Sequence, residues 1–242
     1  MRLCQGYHLR ALWVLTLSNA YSSNWIDEQQ EFLTNLANPD GFYGQIAGSC
    51  FNAAFQNINQ WAVELMAVQP GESVLEIGFG SGMAIQNLVQ QTQATYIAGI
   101  DCSSLMVRDA TKLNQQAIQD QRVKLSKADV SHLPAFDRKF HHILAINTIM
   151  YWPEKKQARI FRHLRQTLLP GGRFYIVFQK KYERFENGEW NHQFNKILKN
   201  LKEAGFCDVD GTKQTVLNKE AAIAAGVSIC IALHGTSPAF SL

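Results

Sequence analysis

The chain has 242 residues, 46% of them apolar and 18% charged, which suits one large globular domain or one domain with an N-terminal extension. A net charge of +3 is too small to imply a nucleic-acid partner, and no run of about 18 apolar residues is present to span a membrane. Five cysteines, at positions 4, 50, 102, 207 and 230, show neither Cys-x-x-Cys nor zinc spacing and read as reduced thiols in a cytoplasmic protein.

In chain order, Arg2, the apolar run Ala11 to Leu17 and Ser18-Asn19-Ala20 loosely imitate a secretory signal. An extra helix and a start site placed too far upstream are the competing readings. Trp25 to Ala37 suits a short amphipathic helix. Asn38-Pro39-Asp40-Gly41 signals a turn, and Phe42-Tyr43-Gly44 reads as an aromatic loop after it. Phe51, Ala54, Phe55, Ile58, Ala62, Leu65 and Met66 recur at helical spacing, predicting a helix to about Val68. From there strands and helices alternate. Strands are expected at Ser73 to Ile77, Thr95 to Ile100, Val123 to Ser126, Phe140 to Ile146 and Phe174 to Phe178. Helices are expected from Met83, from Ser104, around Ala158 to Leu168 and from Trp190 to Gly205. The turn Leu169-Pro170-Gly171-Gly172 stops the third of these. Late strands fall near Cys207 to Val209 or Thr215 to Leu217, and at Val227 to Leu233. Alternating β and α elements with apolar strands predict an α/β fold, a mostly parallel sheet with helices on both faces.

The chemistry concentrates where the first strand meets its helix, in Glu76-Ile77-Gly78-Phe79-Gly80-Ser81-Gly82. A dinucleotide fingerprint is Gly-x-Gly-x-x-Gly, and counted from Gly78 its third glycine would fall on Met83. Here that glycine comes one residue early, and an acid stands two residues before the first. This acid-x-Gly-x-Gly-x-Gly motif resembles the first motif of class I S-adenosylmethionine (SAM) dependent methyltransferases. Three further landmarks follow in order: Gly99-Ile100-Asp101-Cys102-Ser103 with Met106, then Ala128-Asp129-Val130, then Leu169-Pro170-Gly171-Gly172-Arg173-Phe174. The resemblance covers about Gln45 to Leu233 and is closest to the methyltransferases of quinone biosynthesis and their small-molecule relatives.

What the resemblance implies is specific. The fold would be Rossmann-like, a seven-stranded sheet in the order 3-2-1-4-5-7-6 with the last strand antiparallel. Residues 1–44 would form an extension that lids the cofactor, and 45–242 the methyltransferase domain. Asp101 would accept both ribose hydroxyls. Asp129 would accept from the adenine amine, and the Val130 N–H would donate to a ring nitrogen. Cys102 and Met106 would pack on the adenine. Gly78 and Gly80 would leave room for the methionine part, with Gly82 completing the loop. Glu76 would bind the cofactor or support the glycine loop, and Asn147 would hydrogen-bond the cofactor's amino-acid end or the substrate. Tyr43, Phe42 or Tyr151 would offer an aromatic face to the sulfonium cation. Several of these have ordinary structural alternatives: Met106 as core, Asp129 as a turn acid, Tyr43 as packing.

Groups near the reacting methyl are less defined. His132 and Tyr151 are the catalytic candidates, Trp152 a candidate for lining the substrate pocket, and Tyr182, Phe185 and Trp190 candidates for a lid. His141-His142 open the fourth strand at the far end and read as structural. Lys155, Arg159 and Arg162 share a helix face, read as solvated. After the fourth strand the chain reads Asn147-Thr148-Ile149-Met150-Tyr151-Trp152, without the Asn/Asp-Pro-Pro-Tyr motif of adenine and glutamine N-methyltransferases. Paired acids for a metal are also missing. The expectation is methyl transfer to a small, apolar or lipid-like molecule, with no nucleic acid, metal or membrane span. Two other readings stay open: a catalytically inactive SAM-binding partner subunit and a nicotinamide-dependent oxidoreductase.

Overall fold

The structure, a computed structural model, describes residues 38–181, 189–215 and 228–238. The signal-like segment, the helix expected over 25–37, and Tyr182 and Phe185 lie outside the described residues. Asp40 stands in extended conformation and its carboxylate accepts from the Gly41 N–H at 2.8 Å, an N-cap. Helix α1 then runs Gly41–Met66 without a break. The aromatic loop expected at Phe42-Tyr43-Gly44 is therefore the first turn of α1, and the Gly44 N–H already reaches the Asp40 carbonyl at 2.9 Å. The Asn-Pro-Asp-Gly signal marks a capped helix start, because Asp40 meets an N–H that a loop would leave to water. Ala67, in the left-handed region at φ 47°, ends α1.

The remaining elements alternate. They are β1 (Ser73–Ile77), α2 (Met83–Gln91), β2 (Tyr96–Asp101), α3 (Ser104–Leu113), the short α4 (Gln115–Gln119), β3 (Val123–Lys127), β4 (Phe140–Ile146), α5 (Gln157–Thr167), β5 (Leu168–Lys181), α6 (Glu189–Glu203), β6 (Cys207–Thr215) and β7 (Ser228–Thr236). The seven strands form one sheet in the order β3-β2-β1-β4-β5-β7-β6. β1 to β5 are mutually parallel, and β7 runs antiparallel to both β5 and β6. This is the predicted topology.

Every residue of β1 and β2 is buried, so these strands carry apolar side chains on both faces. Period-two alternation sorts them into two cores. Leu75, Ile77, Ile143, Ala145, Phe174, Ile176 and Phe178 pack with Phe161 and Leu164 of α5 and with Leu201 of α6. Val74, Ile97, Leu144, Ile146, Tyr175 and Val177 pack on the other side with Ile58 and Met66 of α1 and with Ile85 and Leu88 of α2. Glu76 shares strand parity with Val74 and so belongs to the α1/α2 face.

Two boundaries differ from expectation. β5 begins at Leu168 rather than Phe174, because Leu168 already pairs with Phe140 before a register shift brings Arg173 opposite His142. Leu169-Pro170-Gly171-Gly172 does stop α5, but as a bulge inside a strand. Of the two late alternatives, the strand at Cys207 is β6, longer than expected and bulged between Cys207 and Asp210 with Asp208 at φ 49°, and residues 216–217 of the other lie outside the described residues.

One cation fixes the layer that carries the site. The Arg122 guanidinium donates to three carbonyls, Ala94 at 2.7 Å, Val89 at 2.9 Å and Thr92 at 2.7 Å. It thereby joins the end of α2 to the start of β2. R122A leaves these partly buried acceptors without their donor and should cost about 2 kcal/mol. Urea unfolding of the variant against wild type measures this, and a change below about 0.5 kcal/mol would show the clamp to be idle.

Candidate active site

The three glycines of the loop meet two unlike demands. Gly78 sits at φ 71°, its N–H donates to the Ile100 carbonyl at 2.7 Å, and a Cβ there would lie 2.4 Å from Thr148 Cγ2. Gly82 sits at φ 83°, and a Cβ there would strike Ala110 Cβ at 2.7 Å. Both are therefore required by packing as well as by backbone conformation. At Gly80 the surroundings are open, with nothing within 4 Å of where a Cβ would stand. Only here does bare backbone face free space that a ligand can enter.

Asp101 ends β2 and is 8% exposed. Its Oδ2 accepts from the Gly80 N–H at 2.9 Å and its Oδ1 from the Ser103 N–H at 2.8 Å. Burial raises its pKa, and these donors oppose the shift without cancelling it. The Cys102 N–H is a third donor that lowers the pKa, so of the about four lone-pair sites of a carboxylate one is left for a ligand hydroxyl. Ser103 Oγ accepts from the Met106 N–H at 3.1 Å, which caps α3, and donates to the Pro39 carbonyl at 2.5 Å, which ties in the start of α1.

Glu76 is the second carboxyl, 2% exposed, with no hydrogen-bond partner for its Oε2. Burial, and secondarily the charge of Asp101, push its pKa up to about 8. A buried carboxyl with an idle oxygen beside a second acid is costly unless a donor or cation arrives.

The other expected residues divide. Cys102 is exposed beside Asp101, its thiol donating to Asn38 Oδ1 at 3.8 Å; burial of the sulfur, then Asp101, raise its pKa. Asp129 caps the short turn Val130–His132, its Oδ1 accepting from the Ser131 N–H at 2.7 Å, a bond that lowers its pKa. It is exposed and Val130 half-buried, at the end of β3 next to β2. Met106 is 2% exposed, within the folded interior. Asn147 follows β4 at φ 52°, with its N–H on the Val177 carbonyl at 2.8 Å. Tyr43 lies in the first turn of α1, and its side chain is outside the described residues.

Of the catalytic candidates, His132 is an exposed loop residue whose Nδ1 lies 3.1 Å from Ser131 Oγ. Tyr151 is 44% exposed, its N–H bonded to the Thr148 carbonyl, and burial raises its phenol pKa. Thr148 is the residue that fills the space over Gly78, so Tyr151 stands one turn from the loop. Trp152, expected as pocket lining, is instead buried in the core against Phe161, ring centroids 5.9 Å apart. Trp190 lies in the first turn of α6 and its side chain is outside the described residues.

Sequence reasoning missed Thr148 and Lys127, whose Nζ donates to Ser104 Oγ at 2.7 Å across the ends of β3 and α3. Neither carries a motif, because their roles depend on which strands become neighbours. His141 and His142 are structural as read. His141 Nδ1 accepts from the Ser73 N–H at 3.1 Å, and His142 Nε2 lies 2.7 Å from Glu72 Oε2. They line a groove of about 550 Å³ under the opposite ends of the strands, away from the glycine loop. Among the described residues no group of three His, Cys, Asp or Glu is placed to hold a metal.

Comparison with known proteins agrees with this geometry. Residues 74–172 match the methyltransferase domain family, a span from β1 to the bulge in β5. The uncharacterized methyltransferase YdaC of Bacillus subtilis is 27% identical over 166 residues, 68% of this chain and 88% of that one. The sterol 24-C-methyltransferase ERG6B of Gibberella zeae is 24% identical over 142 residues, 59% of this chain and 37% of that one. Among solved structures, phosphoethanolamine N-methyltransferase 2 of Haemonchus contortus in complex with SAM superposes with a TM-score of 0.63 at 15% identity, covering 81% of this chain and 58% of that one. The matching domain over residues 74–172, the sheet order and the glycine loop together support a class I SAM-dependent methyltransferase.

Proposed function

We propose that the acceptor is a small, apolar molecule, methylated at the sheet's C-terminal end beside Gly80 and Tyr151. The observation that carries this reading is the pair Met150 and Tyr151, 38% and 44% exposed, on the turn whose Thr148 closes over Gly78. They are two of the three large apolar side chains exposed among the described residues. The named activity of the sterol enzyme, on an apolar small molecule, supports the same class, while that of the phosphoethanolamine enzyme, on a charged one, supports only the small size.

The cofactor's fit rests on this chain's own groups. Gly80 offers the open backbone, Asp101 its remaining lone pair for a ribose hydroxyl, and Glu76 an idle buried oxygen for the cationic amino-acid end. Cys102 and, after β3, Asp129 and Val130 would meet the adenine, and Asn147, which follows β4 with its N–H on the Val177 carbonyl, would meet the amino-acid end or the substrate. SAM supplies an electrophilic methyl on a sulfonium. The protein's task is then to hold the acceptor in line with it, and alignment alone contributes effective molarities of about 10⁵–10⁸ M. Tyr151, like any phenol, keeps its proton at neutral pH, and burial, which raises its pKa further, favours a role as hydrogen-bond donor rather than base. Met106, buried on α3, would support that helix where the adenine binds.

Three outcomes follow. D101N keeps an acceptor for the loop but loses the charge, and should weaken SAM binding on the order of 30- to 100-fold by calorimetry. Unchanged affinity would remove Asp101 from the site. Glu76 holds its proton in the folded chain up to about pH 8, whereas its ordinary pKa is 4.5. The unfolded chain thus releases that proton first, and stability should fall as pH rises from about 4.5 to 8. E76Q should abolish that slope in thermal melts, and an identical slope in the variant would assign it elsewhere. Finally, methyl-labelled SAM with whole-cell extract should place label in the solvent-extractable fraction. Label confined to macromolecules would overturn the acceptor class.

A further inference from the structure

The sequence reading left Lys155, Arg159 and Arg162 as a solvated face, and the fold gives that face more definition. The turn Glu154–Lys156, α5 and α6 together hold eight Lys and Arg against three Glu. That is an excess of five positive charges in a chain whose total is +3, so the rest of the molecule is net negative. Lys199 pairs with Glu203 at 3.7 Å and Arg165 donates to the Ala204 carbonyl at 2.9 Å, which leaves Lys155, Lys156, Arg159, Arg162 and Lys202 to set the charge of this face. Lys196 of α6 pairs with Glu154, and Asn200 of α6 donates to Gln157 of α5 at 3.3 Å, so the two helices lie side by side. Their inner faces enter the core through Ile160, Phe161, Ile197 and Leu201. Lys155, Lys156, Arg159 and Arg162 are exposed, as are Lys199 and Lys202 beyond them.

A second observation lies at one end of this face. Met150 and Tyr151 precede Glu154 by a few residues and are exposed. Lys156 lies close enough to Asp129 to contribute to lowering its pKa, so the cations reach the rim of the active site. Cations in rows on a broad two-helix surface, with an aromatic and a thioether side chain beside them, match a surface that is anionic outside and apolar beneath. Tyrosine is favoured at that boundary. An RNA partner would need stacking platforms along a groove, and this face is a ridge of helices.

We propose that the α5/α6 face, led by Met150 and Tyr151, docks on an anionic lipid bilayer and turns the mouth of the methyl-transfer site toward the interface from which its acceptor enters. The proposal rests on the reading of that acceptor as an apolar small molecule.

The test is sedimentation of the full chain with vesicles of phosphatidylglycerol and phosphatidylcholine, against phosphatidylcholine alone. Binding should require the anionic lipid and weaken between about 0.1 M and 0.5 M salt. The triple variant K155E/R159E/R162E should lose on the order of 100-fold in partitioning. The milder K155Q/R159Q/R162Q should lose less, and SAM binding by either variant shows that it is folded. M150S should lower partitioning several-fold, which attraction between charges alone does not produce. Equal, weak sedimentation with both vesicle types would overturn the proposal, and so would capture of an RNA oligomer by a chain that ignores vesicles. Vesicle binding is read without turnover, so its failure leaves the acceptor reading standing. Label found only in macromolecules defeats the acceptor reading even where vesicles bind.

Discussion

One carboxylate holds the cofactor end of this molecule together. Asp101 accepts from the glycine loop through Gly80 and from the start of α3 through Ser103. Ser103 in turn caps α3 and reaches back to Pro39, where α1 begins. Three segments far apart in sequence, around Pro39, Gly80 and the β2–α3 turn, thus converge on Asp101 and Ser103. Because Asp101 is buried, each of these bonds acts in a low-dielectric setting where a lost donor is expensive. The loop is consequently shaped before any ligand arrives, which is the condition for binding without a large ordering cost.

Close behind lies a deliberate imbalance. Glu76 stands in the middle of the sheet among apolar residues, facing the α1/α2 core, with an oxygen that no protein group satisfies. The packed strands on either side, β2 and β4, leave it no room to turn toward solvent. A fold can tolerate such a group while it is protonated, and a cation nearby would favour releasing the proton. Ligand charge and protonation at this carboxyl are therefore coupled, and the stability of the empty protein and the affinity of the filled one draw on the same atom.

Much of this was legible in the sequence for physical reasons. β1 and β2 show because a doubly covered strand must be apolar throughout, and the loop shows because positive φ and tight packing at Gly78 and Gly82 leave few residue choices. The sheet order came through resemblance, and the observed pairing agrees with it. What failed was local punctuation. Asn-Pro-Asp-Gly suits a turn and a capped helix equally, and only the Asp40 hydrogen bond decides. Pro170 and Gly171 stop α5 yet belong to β5, because a bulge absorbs residues that propensity alone would exclude. Trp152 looked like pocket lining by position, but its ring found Phe161. Thr148 gave no signal, since its role is to fill the space that Gly78 leaves open.

The order of the strands has a consequence for how the molecule is made. β6 touches the sheet through β7, and β7 follows both of its neighbours in the chain. During synthesis β5 therefore emerges with an unpaired outer edge and β6 with no strand to join, and both wait for the later segment to slide between them. The backbone bonds that seal the seam, Gly171 N–H to the Ser237 carbonyl at 2.9 Å and Ser237 N–H to the Gly172 carbonyl at 2.7 Å, tie its far end to the bulge. The pairing is long in sequence and late in time, so this half of the sheet is where a nascent chain is most exposed to edge-to-edge association. The cofactor loop, built from β1 and β2 near the front of the domain, can be in place while that gap is still open.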